Sequence, residues 1–150
     1  MTSTRPSRAL RVAVADDHLF VRSGLRRFIS SFPDHDFAGG AASAEEALEL
    51  VQGTDIDVLV LDADMPGRSG LEILPQLSAI APRMKVLVVS ALSGTAVGPF
   101  ALRADAFGYL EKPFNPQSLD ESIRSAAAAL ARAANDEGFS SQSSDEGSMK

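Results

Sequence analysis

The chain has 150 residues, a formal net charge of −6 and no cysteine, and its length fits a single domain. The acidic balance argues against binding of nucleic acid by this chain itself, because such affinity comes mostly from Lys and Arg that neutralise phosphates. Without cysteine, disulfides and thiolate metal sites are excluded, and the lack of a long apolar run or a secretory leader predicts a cytoplasmic protein without a membrane segment.

The N-terminal part of the chain predicts a disordered segment, a strand and a helix. Residues 1–8 are polar and include a proline, which favours disorder. Residues 10–15 alternate in polarity and predict the first strand. Apolar residues between 21 and 29 then recur at helical spacing, and Asp17 is placed to cap that helix.

A second strand and helix precede the most apolar stretch of the chain. Residues 37–41 predict a weak strand that contains glycine, and Ser43 with Glu46 has the spacing of a capping box that opens a short helix. The third strand is predicted at residues 57–61, where four consecutive apolar residues lead to Asp62. Because this run does not alternate, it predicts a strand buried on both faces, as in a parallel sheet covered by helices.

The second half of the chain continues this alternation. The third helix is predicted either to kink at Pro75 or to begin its regular part there, because proline removes one backbone hydrogen bond and clashes one turn back. The apolar run at 85–89 predicts a fourth buried strand that ends at Ser90. A fourth helix is predicted at 93–104, although Gly98-Pro99 interrupts it.

The C-terminal part predicts a short strand, a long helix and a tail. Residues 107–110 predict the fifth strand, Asn115 is a suitable cap for the next helix, and Pro116 suits its first position. The residues predicted to form the buried face of this Ala-rich helix are Leu119, Ile123, Ala127 and Leu130. Because the composition then shifts to Ser, Asp, Glu and Gly, we expect a folded domain at 9–134 and a disordered tail or linker at 135–150.

Five strands that alternate with five helices predict an α/β fold with one doubly wound parallel sheet. In such a sheet the carboxyl ends of the strands share one edge, where ligands bind. The polar residues that the strands deliver to this edge are Asp16, Asp17, Asp62, Asp64, Ser90 and Lys112.

Several carboxylates at one edge would repel one another at low dielectric. A divalent cation would relieve this repulsion, and Mg²⁺ suits the site because it takes oxygen ligands. One charge-balanced carboxylate could then accept a phosphoryl group, provided that a metal, an ammonium group and a hydroxyl stabilise the phosphoryl oxygens. The sequence therefore predicts a site for phosphoryl transfer.

Four short segments carry a resemblance to a known family. They are residues 14–18 (VADDH), 61–67 (LDADMPG), 88–91 (VVSA) and 108–114 (GYLEKPF). Together they resemble the receiver domain of bacterial two-component response regulators, in particular the NarL/FixJ branch with LuxR-type outputs. The resemblance covers roughly residues 9–132 and implies a flavodoxin-like sheet with the strand order 2-1-3-4-5.

The resemblance implies a separate role for each acidic residue. Asp62 matches the aspartate that accepts the phosphoryl group, and Asp17 matches the acid that binds Mg²⁺ directly. Asp16 matches a neighbour that reaches the metal only through water. Asp64 matches a position whose backbone carbonyl binds the metal, while its side chain points outward and can tune hydrolysis of the phosphoaspartate.

The resemblance also implies roles for residues on the last two strands. Ser90 matches the hydroxyl that turns toward the phosphoryl group, and Lys112 matches the lysine that pairs with phosphate. Pro113 matches a position that often follows a cis peptide bond. Tyr109 matches the aromatic residue that swings inward when the hydroxyl engages phosphate. From its place in the sequence, His18 lies close to the site and is interpreted as surface or helix-start decoration and not as a catalytic residue.

The function implied is a signalling switch. A sensor histidine kinase would phosphorylate Asp62, Ser90 and Lys112 would move inward, and the altered surface would control an output. That output would be transcription, through a DNA-binding domain that this chain does not contain, and phosphorylation could promote a homodimer. The chain would be no enzyme apart from its own aspartyl phosphorylation and dephosphorylation.

Two alternatives remain open from the sequence. The chain could be a pseudo-receiver that binds partners without being phosphorylated. It could also be a haloacid-dehalogenase-type phosphatase, because Asp62-Ala63-Asp64 resembles the nucleophile motif of those enzymes, although their motif normally ends the first strand.

Overall fold

A computed structural model of the chain contains one five-stranded parallel sheet. The structure describes residues 9–91 and 106–149, and it describes side chains as far as residue 135. The strands are β1 (Leu10–Ala15), β2 (His35–Ala41), β3 (Val58–Asp62), β4 (Lys85–Ser90) and β5 (Gly108–Glu111). The helices are α1 (Leu19–Ser30), α2 (Ala44–Gly53), α3 (Leu74–Ile80) and α4 (Pro116–Met149), with a 3-10 turn at Gly70–Ile73.

The sheet has the order β2-β1-β3-β4-β5, so the predicted flavodoxin-like topology is confirmed. All four pairs of neighbouring strands run parallel. The central strand β3 is buried at every position. Full burial of a Val or Leu side chain stabilises the fold by about 1.5–3 kcal/mol, so this apolar run contributes strongly to the core.

Helices cover both faces of the sheet. On one face, Leu59 and Leu61 of β3 pack in a cluster with the buried side chains of α2 and α3. On the other face, Val58 and Val60 pack in a cluster with those of α1 and α4. Successive strand residues point to opposite faces, which explains why the third strand needed an unbroken apolar sequence.

The segment around Pro75 follows the second of the two predicted alternatives. A 3-10 turn precedes α3, and Pro75 lies in the first turn of that helix. The missing N–H of proline costs no helical hydrogen bond at this position. Ser69 begins the 3-10 turn, because its hydroxyl accepts a hydrogen bond from the backbone N–H of Leu71 at 3.1 Å.

Two local predictions about helix starts can be compared with the structure. The Asn115 cap is confirmed, since its Oδ1 accepts a hydrogen bond from the N–H of Ser118 at 2.7 Å. The predicted cap at Asp17 is wrong. Extended backbone at His18 begins α1, and no side chain caps this helix.

The long helix α4 differs in part from expectation. Its fully buried residues include Leu119 and Ile123, as predicted, but the next one is Ala126 and not Ala127. The backbone of α4 continues to Met149, and the division into a domain at 9–134 and a disordered tail or linker at 135–150 stays a prediction. An established helix gains one hydrogen bond for each residue added, so it can extend beyond the segment that nucleates it.

Some predictions fall outside the described residues. These are the disordered segment at 1–8 and the helix at 93–104 with its Gly98-Pro99 interruption. Four of the five predicted helices are therefore described. Within the described residues, no helix combines the length and the apolar character needed to cross a bilayer.

Candidate functional site

The register between β1 and β3 places two carboxylates side by side. Ala15 of β1 pairs with Leu61 of β3, so the next residues, Asp16 and Asp62, emerge together at the carboxyl edge of the sheet. Both side chains are buried, with 1% of Asp16 and 0% of Asp62 exposed. Two buried acids at one edge require compensating charge.

The register between β3, β4 and β5 adds a hydroxyl and a cation. Asp62 pairs with Val89, and Ser90 follows at the same edge. Ser90 pairs in turn with Glu111, and Lys112 follows, its backbone N–H donating to the carbonyl of Ser90 at 2.7 Å. The predicted convergence of these strand ends is therefore present in the structure.

Lys112 supplies positive charge to both buried acids. Its Nζ lies 3.2 Å from Oδ2 of Asp16 and 3.4 Å from Oδ2 of Asp62. Partial burial alone would lower the pKa of Lys112, but the neighbouring Asp62 and Asp16 outweigh it and raise that pKa. The ammonium group is therefore kept charged beside Asp62.

Asp62 has an environment that makes its charge costly. Burial raises the pKa of this carboxyl group, and the negative charges of Asp16 and Asp64 raise it further. The hydrogen bond from the backbone N–H of Asp64 to Oδ1, at 2.9 Å, and the charge of Lys112 act in the opposite direction. Additional positive charge at this point would stabilise the ionised carboxylate.

The acidic edge has the composition and spacing of a cation site. Asp16, Asp17, His18 and Asp62 each offer one ligand atom, and these atoms lie within 4.8 Å of one another. Oδ1 of Asp17 and Oδ2 of Asp62 are buried without a hydrogen-bond partner. Each has one nitrogen nearby, Nδ1 of His18 at 3.3 Å from Asp17 and Nζ of Lys112 at 3.4 Å from Asp62. Because carboxylate oxygens are the ligands that hard divalent cations prefer, these two oxygens also fit a bound divalent cation.

His18 lies at the start of α1, as its interpretation as surface or helix-start decoration implied, and it also contacts two of the acidic residues. Its Nδ1 lies 3.2 Å from Oδ1 of Asp16 and 3.3 Å from Oδ1 of Asp17. The side chain is nevertheless 66% exposed, so it borders the cluster from the solvent side. The sequence feature that indicates this proximity is the position of His18 directly after Asp16 and Asp17.

The Asp64 side chain makes contacts that the sequence did not indicate. The Ser90 hydroxyl lies 3.0 Å from each carboxylate oxygen of Asp64, within donating distance of both. The backbone N–H of Ala91 donates to Oδ2 of Asp64 at 2.7 Å. The Asp64 side chain is exposed, which agrees with the outward direction that the resemblance implied. Its carboxylate nevertheless reaches the donors at and just after the end of β4, to which a charged acceptor bonds strongly.

Tyr109 lies on β5, next to the same strand end. It pairs with Val88 of β4, and its side chain forms a hydrogen bond with that of Ser90. Burial raises the pKa of Tyr109, and the negative charges of Glu111 and Asp64 raise it further. Ser90 is thus connected to Asp64 on one side and to Tyr109 on the other.

Residues 12–124 match the family described as "Response regulator receiver domain". The chain belongs to this family. The match covers the sheet except for the first two residues of β1, and it includes all the residues of the acidic edge. It confirms the resemblance inferred from the sequence. Receiver domains of response regulators are signalling proteins.

Relatives of this receiver domain include full-length regulators. It is 34% identical to the nitrate/nitrite response regulator protein NarL of Escherichia coli K12, over 85% of this chain and 58% of that protein. It is 33% identical to the transcriptional regulatory protein YxjL of Bacillus subtilis 168, over 79% of this chain and 54% of that protein. The chain thus spans just over half the length of these two relatives.

Solved structures with the same fold also resemble this receiver domain. A LuxR-family two-component response regulator from Aurantimonas sp. SI85-9A1 matches with a TM-score of 0.74 and 32% identity, over 82% of this chain and 86% of that one. The response regulator domain of Thermotoga maritima CheB matches with a TM-score of 0.73 and 32% identity, over 83% of this chain and 98% of that one.

Two backbone features complete the receiver site. Gly70 packs so closely on β3 that an added Cβ would lie 2.4 Å from the carbonyl oxygen of Asp62. No sequence pattern around Gly70 predicts this close approach. The peptide bond between Lys112 and Pro113 is cis, in the arrangement that the family resemblance implied for this position.

Proposed function

We propose that this chain is a phosphoacceptor switch in which Asp62 receives a phosphoryl group from a sensor histidine kinase. The observation that carries the proposal is the environment of Asp62. Its carboxylate is fully buried, lies 3.4 Å from the ammonium of Lys112 and shares the edge with Asp16 and Asp17. A nucleophile in such a position is held in place and surrounded by groups that can stabilise phosphoryl oxygens.

Mg²⁺ is the cofactor that fits this site. Asp17 and Asp62 would bind it through the buried oxygens named above, Asp64 through its backbone carbonyl, and Asp16 through water. When bound, the ion supplies positive charge that neutralises the phosphoryl oxygens during transfer. This assignment gives each carboxylate at the edge a distinct role.

The transfer itself requires little covalent chemistry from the protein. An oxygen of Asp62 attacks phosphorus and forms the new P–O bond, while the P–N bond to the donor histidine breaks and leaves its electron pair on the imidazole. Lys112 stays charged throughout and interacts with the phosphoryl oxygens. The Ser90 hydroxyl donates to the same oxygens once it has turned toward them.

We also propose an output for the switch, which is the control of transcription. The relatives named above include a transcriptional regulatory protein, and the chain covers just over half of that protein. We therefore propose that phosphorylation changes the surface around Tyr109 and controls transcription through a DNA-binding domain outside this chain, with homodimerisation as one route. The net charge of −6 supports protein partners and not direct binding of DNA, and the site of action would be the cytoplasm.

Intact mass spectrometry after incubation with acetyl phosphate tests the proposal. We expect one Mg²⁺-dependent addition of about 80 Da, the mass of one phosphoryl unit. Asp62→Asn should abolish it. Asp36→Asn is the matched control, because Asp36 is an exposed aspartate on β2, outside the acidic edge, and should leave the adduct unchanged.

Two other results would each select an alternative. No adduct together with no Mg²⁺ binding would favour the pseudo-receiver. Release of many equivalents of phosphate from a small phosphate ester would favour a haloacid-dehalogenase-type phosphatase. The position of Asp62 at the end of β3, the third strand in the chain, already speaks against the latter, whose motif normally ends the first strand.

A further inference from the structure

The side chain and backbone of Asp64 connect two parts of the site. Its backbone N–H donates to Oδ1 of Asp62 at 2.9 Å. Its carboxylate is bonded by the Ser90 hydroxyl, at 3.0 Å from each oxygen, and by the N–H of Ala91 at 2.7 Å. One residue therefore contacts both the proposed phosphoacceptor and the donors at the end of β4.

The two donors that Asp64 binds are suited to a phosphoryl group. A serine hydroxyl carries a single proton, so the Ser90 hydroxyl cannot serve two anionic acceptors fully at the same time. A backbone N–H likewise has one proton to give. While the Asp64 carboxylate accepts from Ser90 and Ala91, these donors are not available to oxygens on Asp62.

We propose that the Asp64 side chain is an internal competitor, a carboxylate that occupies Ser90 and Ala91 until a phosphoryl group on Asp62 displaces it. This inference rests on the proposed phosphoacceptor function. It makes Asp64 a positioning residue that stabilises the unphosphorylated arrangement and raises the level of phosphoryl donor needed for switching.

Charge and exposure make the exchange feasible. A phosphoryl group carries negative charge, so it repels the Asp64 carboxylate from the position that both would occupy. Asp64 is exposed, in contrast to the fully buried Asp62 and Ser90, so its side chain can rotate into water without a large desolvation cost. The Ser90 hydroxyl and the Ala91 N–H, once released from Asp64, can then donate to the phosphoryl oxygens.

Beryllofluoride with Mg²⁺ provides a non-covalent phosphoryl mimic for the test. Tyr109 is the only tyrosine and the chain has no tryptophan, so intrinsic fluorescence reports on the neighbourhood of Ser90 alone. We expect Asp64→Ala to reach half-saturation at about a tenfold lower beryllofluoride concentration than the wild type, the equivalent of one charge-assisted hydrogen bond. Asp64→Asn, which keeps a weaker acceptor, should lie between the two.

A matched variant separates competition from simple charge removal. Glu111→Gln also removes a negative charge that acts on Tyr109, and it should change half-saturation by less than about twofold if the effect of Asp64 depends on its direct hydrogen bonds. In a Ser90→Ala background, the gain from Asp64→Ala should shrink. An equal gain in both backgrounds would overturn the role of the Ser90 contact.

A second readout does not depend on phosphoryl chemistry. Loss of the carboxylate in Asp64→Ala should move the amide NMR signal of Ala91 and speed its hydrogen exchange, because the 2.7 Å bond is lost. Equal beryllofluoride affinity in wild type and Asp64→Ala would overturn the competitor while leaving the phosphoacceptor function intact. Failure of every variant to bind beryllofluoride, with a normal response of the Ala91 amide, would overturn the phosphoacceptor function itself.

Discussion

The Nζ atom of Lys112 lies 3.4 Å from Oδ2 of Asp62, although β4 separates the strands that carry these residues. The same ammonium lies 3.2 Å from Oδ2 of Asp16. Lysine thus provides part of the positive charge that the acidic edge needs, and a divalent cation bound there would be repelled by it.

Replacement of Lys112 by Met should separate these two effects. Removing the ammonium relieves its repulsion of Mg²⁺, so we expect about tenfold tighter Mg²⁺ binding by calorimetry. The rate of phosphorylation by acetyl phosphate should fall, because the phosphoryl oxygens lose a cation. Lys85→Met is the control, since Lys85 lies at the other end of β4; unchanged Mg²⁺ affinity in Lys112→Met would contradict the prediction.

Asp62→Asn should stabilise the protein at neutral pH when divalent cations are chelated. Burial raises the pKa of Asp62 above the ordinary value of 3.8, so the folded protein binds more protons than the unfolded chain between 3.8 and the raised pKa. The charge of Asp62 therefore lowers stability as the pH rises through that window, and this cost is absent below 3.8.

Urea unfolding at a series of pH values measures the effect. The advantage of Asp62→Asn should be greatest at neutral pH and should vanish on acidification below pH 3.8. Addition of Mg²⁺ should stabilise the wild type more than the variant, because the variant lacks one ligand. A variant that is less stable than the wild type at neutral pH in chelator would argue against a costly charge at Asp62.

Gly70→Ala should destabilise the fold by about 1–3 kcal/mol through overpacking. The added Cβ would lie 2.4 Å from the carbonyl oxygen of Asp62 and 2.9 Å from Cγ of Leu61, so the end of β3 must shift. Gly24→Ala in α1 is the control, because its added Cβ would have no atom within 4 Å apart from its chain neighbours and the backbone of its own helix, and it should stabilise by about 0.5–1 kcal/mol. Similar unfolding midpoints for both variants would refute the close approach.

Tyr109 should titrate above its ordinary pKa of 10.0, since burial and the charges of Glu111 and Asp64 disfavour the phenolate. Tyrosinate absorbance measures this pKa directly because the chain has one tyrosine. Glu111→Gln should lower the pKa without restoring the ordinary value, since burial is the largest cause of the shift. A wild-type pKa at or below 10.0 would place Tyr109 in a more solvated environment than the structure does.

The sheet and the composition of its acidic edge could be predicted from the sequence because both follow from local patterns. The continuous apolar runs before Asp62 and Ser90 identify strands buried on both faces, and parallel strands must share their carboxyl ends. The start of α3 near Pro75 followed from the chemistry of a single residue. These inferences needed no knowledge of which side chains touch.

The remaining features depend on contacts between distant residues. The direction of the Asp64 side chain is decided by Ser90, 26 positions away, and no pattern around Asp64 indicates it. The close approach of Gly70 to Asp62 arises from the path of the chain after β3, which a turn-rich sequence leaves open. The cap predicted at Asp17 failed for a different reason. A carboxylate just before a helix suits a cap and a metal ligand equally well, and the sequence does not distinguish the two.

Asp16 and Lys112 are in contact although 96 positions separate them in the chain. During synthesis, β5 and Lys112 emerge after the other four strands have already left the ribosome. A growing chain therefore carries its acids without their lysine until Lys112 has been added, and the pocket is complete only when β5 has joined the sheet. Under the proposed function, the kinase would not phosphorylate an unfinished or truncated polypeptide that lacks β5. The order of translation itself would therefore prevent premature signalling.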